Sequence, residues 1–137
     1  MDRDTFKLIH SELIQQVQCI EFNLRRTYAA MHEGNFDDNF NRLEKSNLGK
    51  IARELENLDY SDDRPELSDD DYDLIDDIRN YWCHQCYLDF VYINNNRESE
   101  RQFQKIAQRL QRDENRTYEL FVKSEKIFFY IWKKYRD

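Results

Sequence analysis

Glycine and proline are nearly absent from this chain: two Gly and one Pro in 137 residues. Sheets with many tight turns need more of both. Their scarcity predicts long helices and few loops. No apolar run approaches the ~18 residues of a membrane span, so the expectation is no membrane partner. The opening "MDRDTFKLIH" carries acidic residues at once and lacks the apolar stretch of a secretory signal. The three Cys are an odd number without disulfide-framework spacing. Together these features predict a cytoplasmic protein with reduced thiols.

The charged fraction is high, 36%, and mean hydropathy is −1.02. Such values alone suggest disorder. The 15% aromatic content, with two Trp, nine Tyr and nine Phe, supplies a core instead. The length fits a single all-α domain, residues 1–137, with one core. Net charge is −7 and uneven. Residues 1–96 hold 10 Lys and Arg against 21 Asp and Glu, while residues 97–137 hold 11 against 7. Acidity peaks in "SDDRPELSDDDYDLIDD", which argues against non-specific nucleic-acid binding. The basic C-terminal segment keeps that function open.

Phe6, Ile9, Leu13, Val17, Ile20, Leu24, Tyr28 and Met31 step by three and four, predicting a helix over about 4–32. Gly34 is placed to end it. Leu48, Ile51, Leu55 and Leu58 give a second helical pattern, with Gly49 inside it and Pro65 in the loop beyond. Ser68 and Asp71 form a capping-box-like pair, and Leu67 with Tyr72 a hydrophobic staple. The helix they open is expected over about 69–93, with Ile75, Ile78, Trp82, Cys86 and Phe90 as its core stripe. A shorter helix around Phe103 to Leu110 follows, with a break at "RDEN", 112–115. The final helix, about 116–135, is apolar on more than one face, which predicts burial against a second copy in a homodimer. The expected architecture is an all-α bundle of four to five helices.

One stretch carries chemistry: "IRNYWCHQCY", Ile78 to Tyr87. On a regular helix Asn80, His84 and Tyr87 share one face, away from the core stripe, and Arg79 lies roughly 140° around from His84. Cys83, His84 and Cys86 look like a metal knuckle, but a tetrahedral site needs four ligands. Only His10, Cys19 and His32 remain to complete one, all in the first helix. Buried apolar cysteines are the simpler reading.

As "RNYWCH", Arg79 to His84, the stretch resembles the motif of the HEPN superfamily: Arg, often a following polar residue such as Asn, then His four to six positions on. The approach to the motif, from "NLGKIARELENL" through "LSDDDYDLIDDIRNYWCHQCY", is similar too. The resemblance covers about Leu48 to Tyr92. It implies a helical bundle that dimerises so that two Arg–His motifs face one cleft. It also implies metal-independent, cofactor-free endoribonuclease activity, as a toxin or antiviral effector acting on RNA and sometimes held by a cognate antitoxin. Arg79 and His84 then become the catalytic pair, and Asn80 and Tyr87 substrate-binding or orienting residues. Some minimal toxins of the superfamily continue as His-x-Tyr; here the order is His-Gln-Cys-Tyr, one residue longer.

The chemistry suits these residue types. Cleavage by the RNA's own 2′-hydroxyl needs a proton acceptor there and a donor at the leaving 5′-oxygen, either of which histidine can be. A guanidinium meets the charge that builds on phosphorus oxygens. Arg97, Arg101, Lys105, Arg109, Arg112 and Arg116 are candidates for RNA-backbone contacts. Two other readings compete. Arg79 pairs with a carboxylate such as Asp76 and His84 is a plain surface residue; or the protein is a non-catalytic acidic interaction partner, an immunity or inhibitor protein or an inactive HEPN domain, docking through residues 61–77.

Overall fold

A computed structural model describes residues 1–43, 51 and 65–137. Five helices are described: α1 (Arg3–Met31), α2 (Phe36–Leu43), α3 (Asp69–His84), α4 (Leu88–Val91) and α5 (Asn96–Tyr135). No strand occurs among the described residues. The fold is an all-α bundle, as the scarcity of Gly and Pro predicts.

Helix α1 forms where its apolar stripe predicts. Phe6, Leu13, Val17, Ile20, Leu24 and Met31 are buried along it. Asp2 caps its start, its carboxylate accepting from the Thr5 N–H at 2.7 Å. At its end, Gly34 takes φ +100°, which only glycine adopts without strain. A Cβ at Gly34 would meet nothing within 4 Å, so backbone conformation alone calls for glycine there.

The longest contact in the bundle is between α1 and α5. They run parallel: Met1 bonds to Gln104, Gln16 to Glu114, Asn23 to Ser124, and Arg136 to Ala30. Helix α3 runs antiparallel to both, its start tied to Lys123 through Asp71 and its end to Asp113 through Trp82. Two hydrophobic clusters divide the length. One joins Ile20, Leu24, Ile51, Ile75, Leu120, Ile127 and Ile131. The other joins Phe6, Leu13, Ile78, Trp82, Phe90, Phe103 and Leu110.

The start of α3 follows the sequence signal. Ser68 Oγ accepts from the Asp71 N–H at 3.1 Å, and Asp71 accepts from the Ser68 N–H at 3.0 Å, a complete capping box. Leu67 and Tyr72 share one core cluster, as a staple requires. Of the second helical pattern only Ile51 is described, helical and buried; Leu48, Gly49, Leu55 and Leu58 lie outside the described residues.

Two boundaries differ from expectation. The helix expected to reach residue 93 ends at His84, and a turn over 85–87 leads into the four-residue α4. The Tyr81 carbonyl accepts from both Gln85 and Cys86, at 2.9 and 3.0 Å, which widens the last turn. Tyr81 Oη and Gln85 Nε2 both donate to Asp89, at 2.7 and 2.9 Å, and fold α4 back. Cys86 and Phe90 still reach the core, but across a corner rather than along one stripe. The second difference is in α5, which runs unbroken for 40 residues through the expected break at 112–115. Asp113 faces inward there and accepts from the Trp82 indole N–H at 2.9 Å, so a polar run conceals a core contact. Helix α5 buries Leu120, Ile127, Phe128 and Ile131 but leaves Tyr118, Phe129 and Tyr135 exposed.

Candidate functional site

The C-terminal turn of α3 is anchored from within. Trp82 is 1% exposed and held by Asp113, itself 3.6 Å from Arg109 Nε. The Arg109 guanidinium sits 3.6 Å from the Tyr81 ring centroid, a cation–π contact that seats α3 on α5. Burial, then the hydrogen bond to Asp89, pushes the Tyr81 hydroxyl far up, so it stays a donor. The same contacts, those from Gln85 first and Tyr81 second, pull the Asp89 carboxyl below its ordinary range.

On this anchor the motif residues take separate positions. Arg79 is half-buried; Nη1 donates to Glu21 on α1 at 3.2 Å and Nη2 to Asp76 at 3.3 Å. Asn80 is exposed, and His84 is exposed as the last residue of α3. Tyr87 lies beyond the helix end, so it does not continue the Asn80–His84 face as a regular helix would place it. The corner nevertheless brings His84 and Tyr87 together, since both line one cavity of about 400 Å³ with His10, Trp82, Cys83 and Cys86. Arg79 and Asn80 do not line it.

His10 is a member the sequence reading weighed only as a metal ligand. Its Nε2 lies 2.7 Å from the Trp82 carbonyl oxygen and 3.7 Å from Cys86 Sγ, and its ring meets Tyr87 edge-on at 5.4 Å. Its place one residue past Ile9, beside the α1 stripe, was the available signal. Tyr81, Asp89, Arg109 and Asp113 were also missed as a supporting set, because no sequence spacing joins them.

The cysteines do not converge. Cys86 is buried, which raises its thiol to about 11, and Cys83 is exposed. Burial raises the Cys83 thiol as well, with the Arg79 charge opposing. Both are therefore neutral thiols at pH 7 and weak nucleophiles. Among the described residues no group of three or more His, Cys, Asp or Glu is placed to hold a metal ion. Of the basic residues proposed for backbone contact, Arg109 is committed to Tyr81 and Asp113, and Arg101 pairs with Glu98; Arg97, Lys105, Arg112 and Arg116 are exposed.

No family model, curated protein or solved structure matches the chain. No helix among the described residues is long and apolar enough to cross a membrane.

Proposed function

We propose that the protein is a metal-independent endoribonuclease of HEPN type, a toxin or defence effector whose active site is completed by a second copy. The observation that carries this reading is the motif's placement: His84 is the exposed last residue of an anchored helix and Arg79 lies half-buried five residues before it, both outside the two core clusters. Arg79 keeps capacity for a phosphate. A guanidinium has five N–H donors, and Glu21 and Asp76 take one each. Those carboxylates also fix its direction, which preorganises it for a developing phosphorane.

Within one subunit Arg79 points to α1 while His84 faces a cavity that Arg79 does not reach. A second copy opposite supplies the missing partner for each. In the reaction one His84 takes the proton from the RNA 2′-hydroxyl as that oxygen attacks phosphorus. The P–O5′ bond breaks, the second His84 protonates the leaving 5′-oxygen, and a 2′,3′-cyclic phosphate forms. Arg79 meets the charge on the non-bridging oxygens. Asn80, exposed one residue on, is available to the phosphate or the ribose.

Expression in a host cell tests this directly. Growth arrest by the wild type that His84→Ala and Arg79→Ala relieve is the expected result. Arrest that persists in both variants removes the reading.

One observation favours a second reading. Asp69, Asp70, Asp73 and Asp77 are exposed along α3, and Arg79 is held by carboxylates, as an acidic, non-catalytic docking surface would be. A harmless wild type that co-purifies with a basic protein, and loses it when Asp69, Asp70 and Asp73 become Lys, supports that reading instead.

A further inference from the structure

Tyr87 stands between two hollows. On one side is the 400 Å³ cavity it shares with His84 and His10. On the other is a cavity of about 230 Å³ lined by Arg3, Phe6, Lys7, Phe90 and Val91 together with Tyr87 itself. The chain carries 28 Asp and Glu, yet among the described residues no carboxylate lines either cavity. In so acidic a protein, this local absence marks a surface open to negative charge.

The Tyr87 ring is braced rather than loose. Phe6 and His10 meet it edge-on at 5.8 and 5.4 Å, and Phe90 packs tilted at 5.8 Å. The residue as a whole remains 37% exposed, so it is not closed off from a ligand. Phe6 and Phe90 are themselves buried, which fixes the platform to the core. Beside it, Lys7 is exposed. Arg3 lies over the Phe103 and Phe90 rings at 3.8 and 4.8 Å and pairs with Glu100, so of the two described cations lining this cavity Lys7 is the one able to move to a ligand.

We propose that this Tyr87 ridge with Lys7 is a single-stranded RNA subsite that carries the strand across the start of α1 to His84. It rests on the ribonuclease reading and adds the substrate class, unpaired RNA, and the direction of approach. A base stacks on Tyr87 with its neighbour in the His84 cavity, and a phosphate meets Lys7. Aromatic stacking accepts any base, so the subsite selects for strandedness rather than sequence. A paired duplex hides its base faces and is refused.

The test is binding of a fluorescent 2′-O-methyl oligonucleotide, which cannot be cleaved because its 2′-oxygen is blocked. Wild type binds the single strand and not its duplex. Tyr87→Ala weakens binding about tenfold, Tyr87→Phe retains it, and an abasic oligonucleotide erases the difference between wild type and Tyr87→Ala. Lys7→Ala lowers the salt slope of binding by about 0.7 for one lost phosphate contact on a single strand. Lys7 is exposed, so that variant folds whatever Tyr87→Ala does. Single-strand binding by Tyr87→Ala and Lys7→Ala equal to wild type, or none by the wild type, overturns the subsite. Cleavage of unmodified RNA separates the two ideas. A wild type that cleaves while both variants bind normally loses the subsite and keeps the nuclease. One that binds through Tyr87 and Lys7 but cleaves nothing loses the nuclease and keeps the subsite.

Discussion

The two ends of the bundle are finished differently. At the end where α1 stops, polar side chains close the helix terminus. Arg136 donates to the carbonyls of Ala29, Ala30, His32 and Gly34, at 2.6 to 3.1 Å, and Asn39 donates to those of Ala29, His32 and Glu33. The Ala29 and Ala30 carbonyls are acceptors that the end of α1 leaves without internal partners, and those of His32, Glu33 and Gly34 belong to the turn beyond it. At the other end the helix corner at His84 is braced from below, by Trp82 and Tyr81, while its outer side stays open. Leu88, Val91 and Tyr92 are exposed there at 51, 56 and 75%, beside the two cavities. One end satisfies its own backbone; the other presents rings, an imidazole and cations to something else. On the proposed reading the first end serves stability and the second recognition, as is usual when function sits on loops held by a rigid scaffold.

Substitutions can break this contrast in graded steps. Trp82→Ala empties a fully buried site and takes the indole donor from Asp113, leaving it Arg109, so a loss of about 3–5 kcal/mol is expected in denaturant unfolding. A small change would mean that α3 is not seated through Trp82. Arg136→Ala should cost about 2 kcal/mol, since hydrogen bonds from a charged group are worth about that much net. The damage should be local: amide exchange rises over the last turn of α1, and RNA cleavage is unchanged. Lys, with a compact ammonium in place of the planar fork, should not restore the cap. Ser68→Ala removes half of the capping box and should cost about 1 kcal/mol. Arg79→Ala reverses the pattern, with only about 1 kcal/mol lost from its two partly exposed ion pairs and cleavage abolished.

Acid sharpens the comparison at the corner. Hydrogen bonds from Gln85 and Tyr81 depress the Asp89 carboxyl. Its contribution to stability is therefore fully present above the ordinary carboxylate value, about 4, and lost as pH falls through the depressed folded value. Asp89→Asn should flatten that part of the stability–pH curve and loosen α4. An unchanged curve would mean that Asp89 does not hold the corner.

The sequence showed the scaffold more clearly than the site. The α1 stripe, the glycine past its end, the Ser68–Asp71 box and the inward set Ile75, Ile78, Trp82, Cys86 and Phe90 were all readable, because periodicity and capping are local. The end of α3 was not. It depends on one carbonyl serving two amides and on a tyrosine hydroxyl reaching Asp89, and neither leaves a periodic trace. The continuity of α5 was hidden for a similar reason, since Asp113 counts as polar until Trp82 is placed against it. At the motif, the Arg79–Asp76 pair was visible as a neighbour three residues back. Glu21, 58 residues away, was not, and neither was the share of Tyr87 in two cavities.

The most direct test of the account is the chemistry of the product ends. RNA incubated with the purified protein in excess chelator should yield fragments ending in a 2′,3′-cyclic phosphate and beginning with a 5′-hydroxyl, identified by mass spectrometry. His84→Ala, folded and with unchanged thermal stability, should yield none. Intact RNA with the wild type, or the same cyclic ends from His84→Ala, would contradict it.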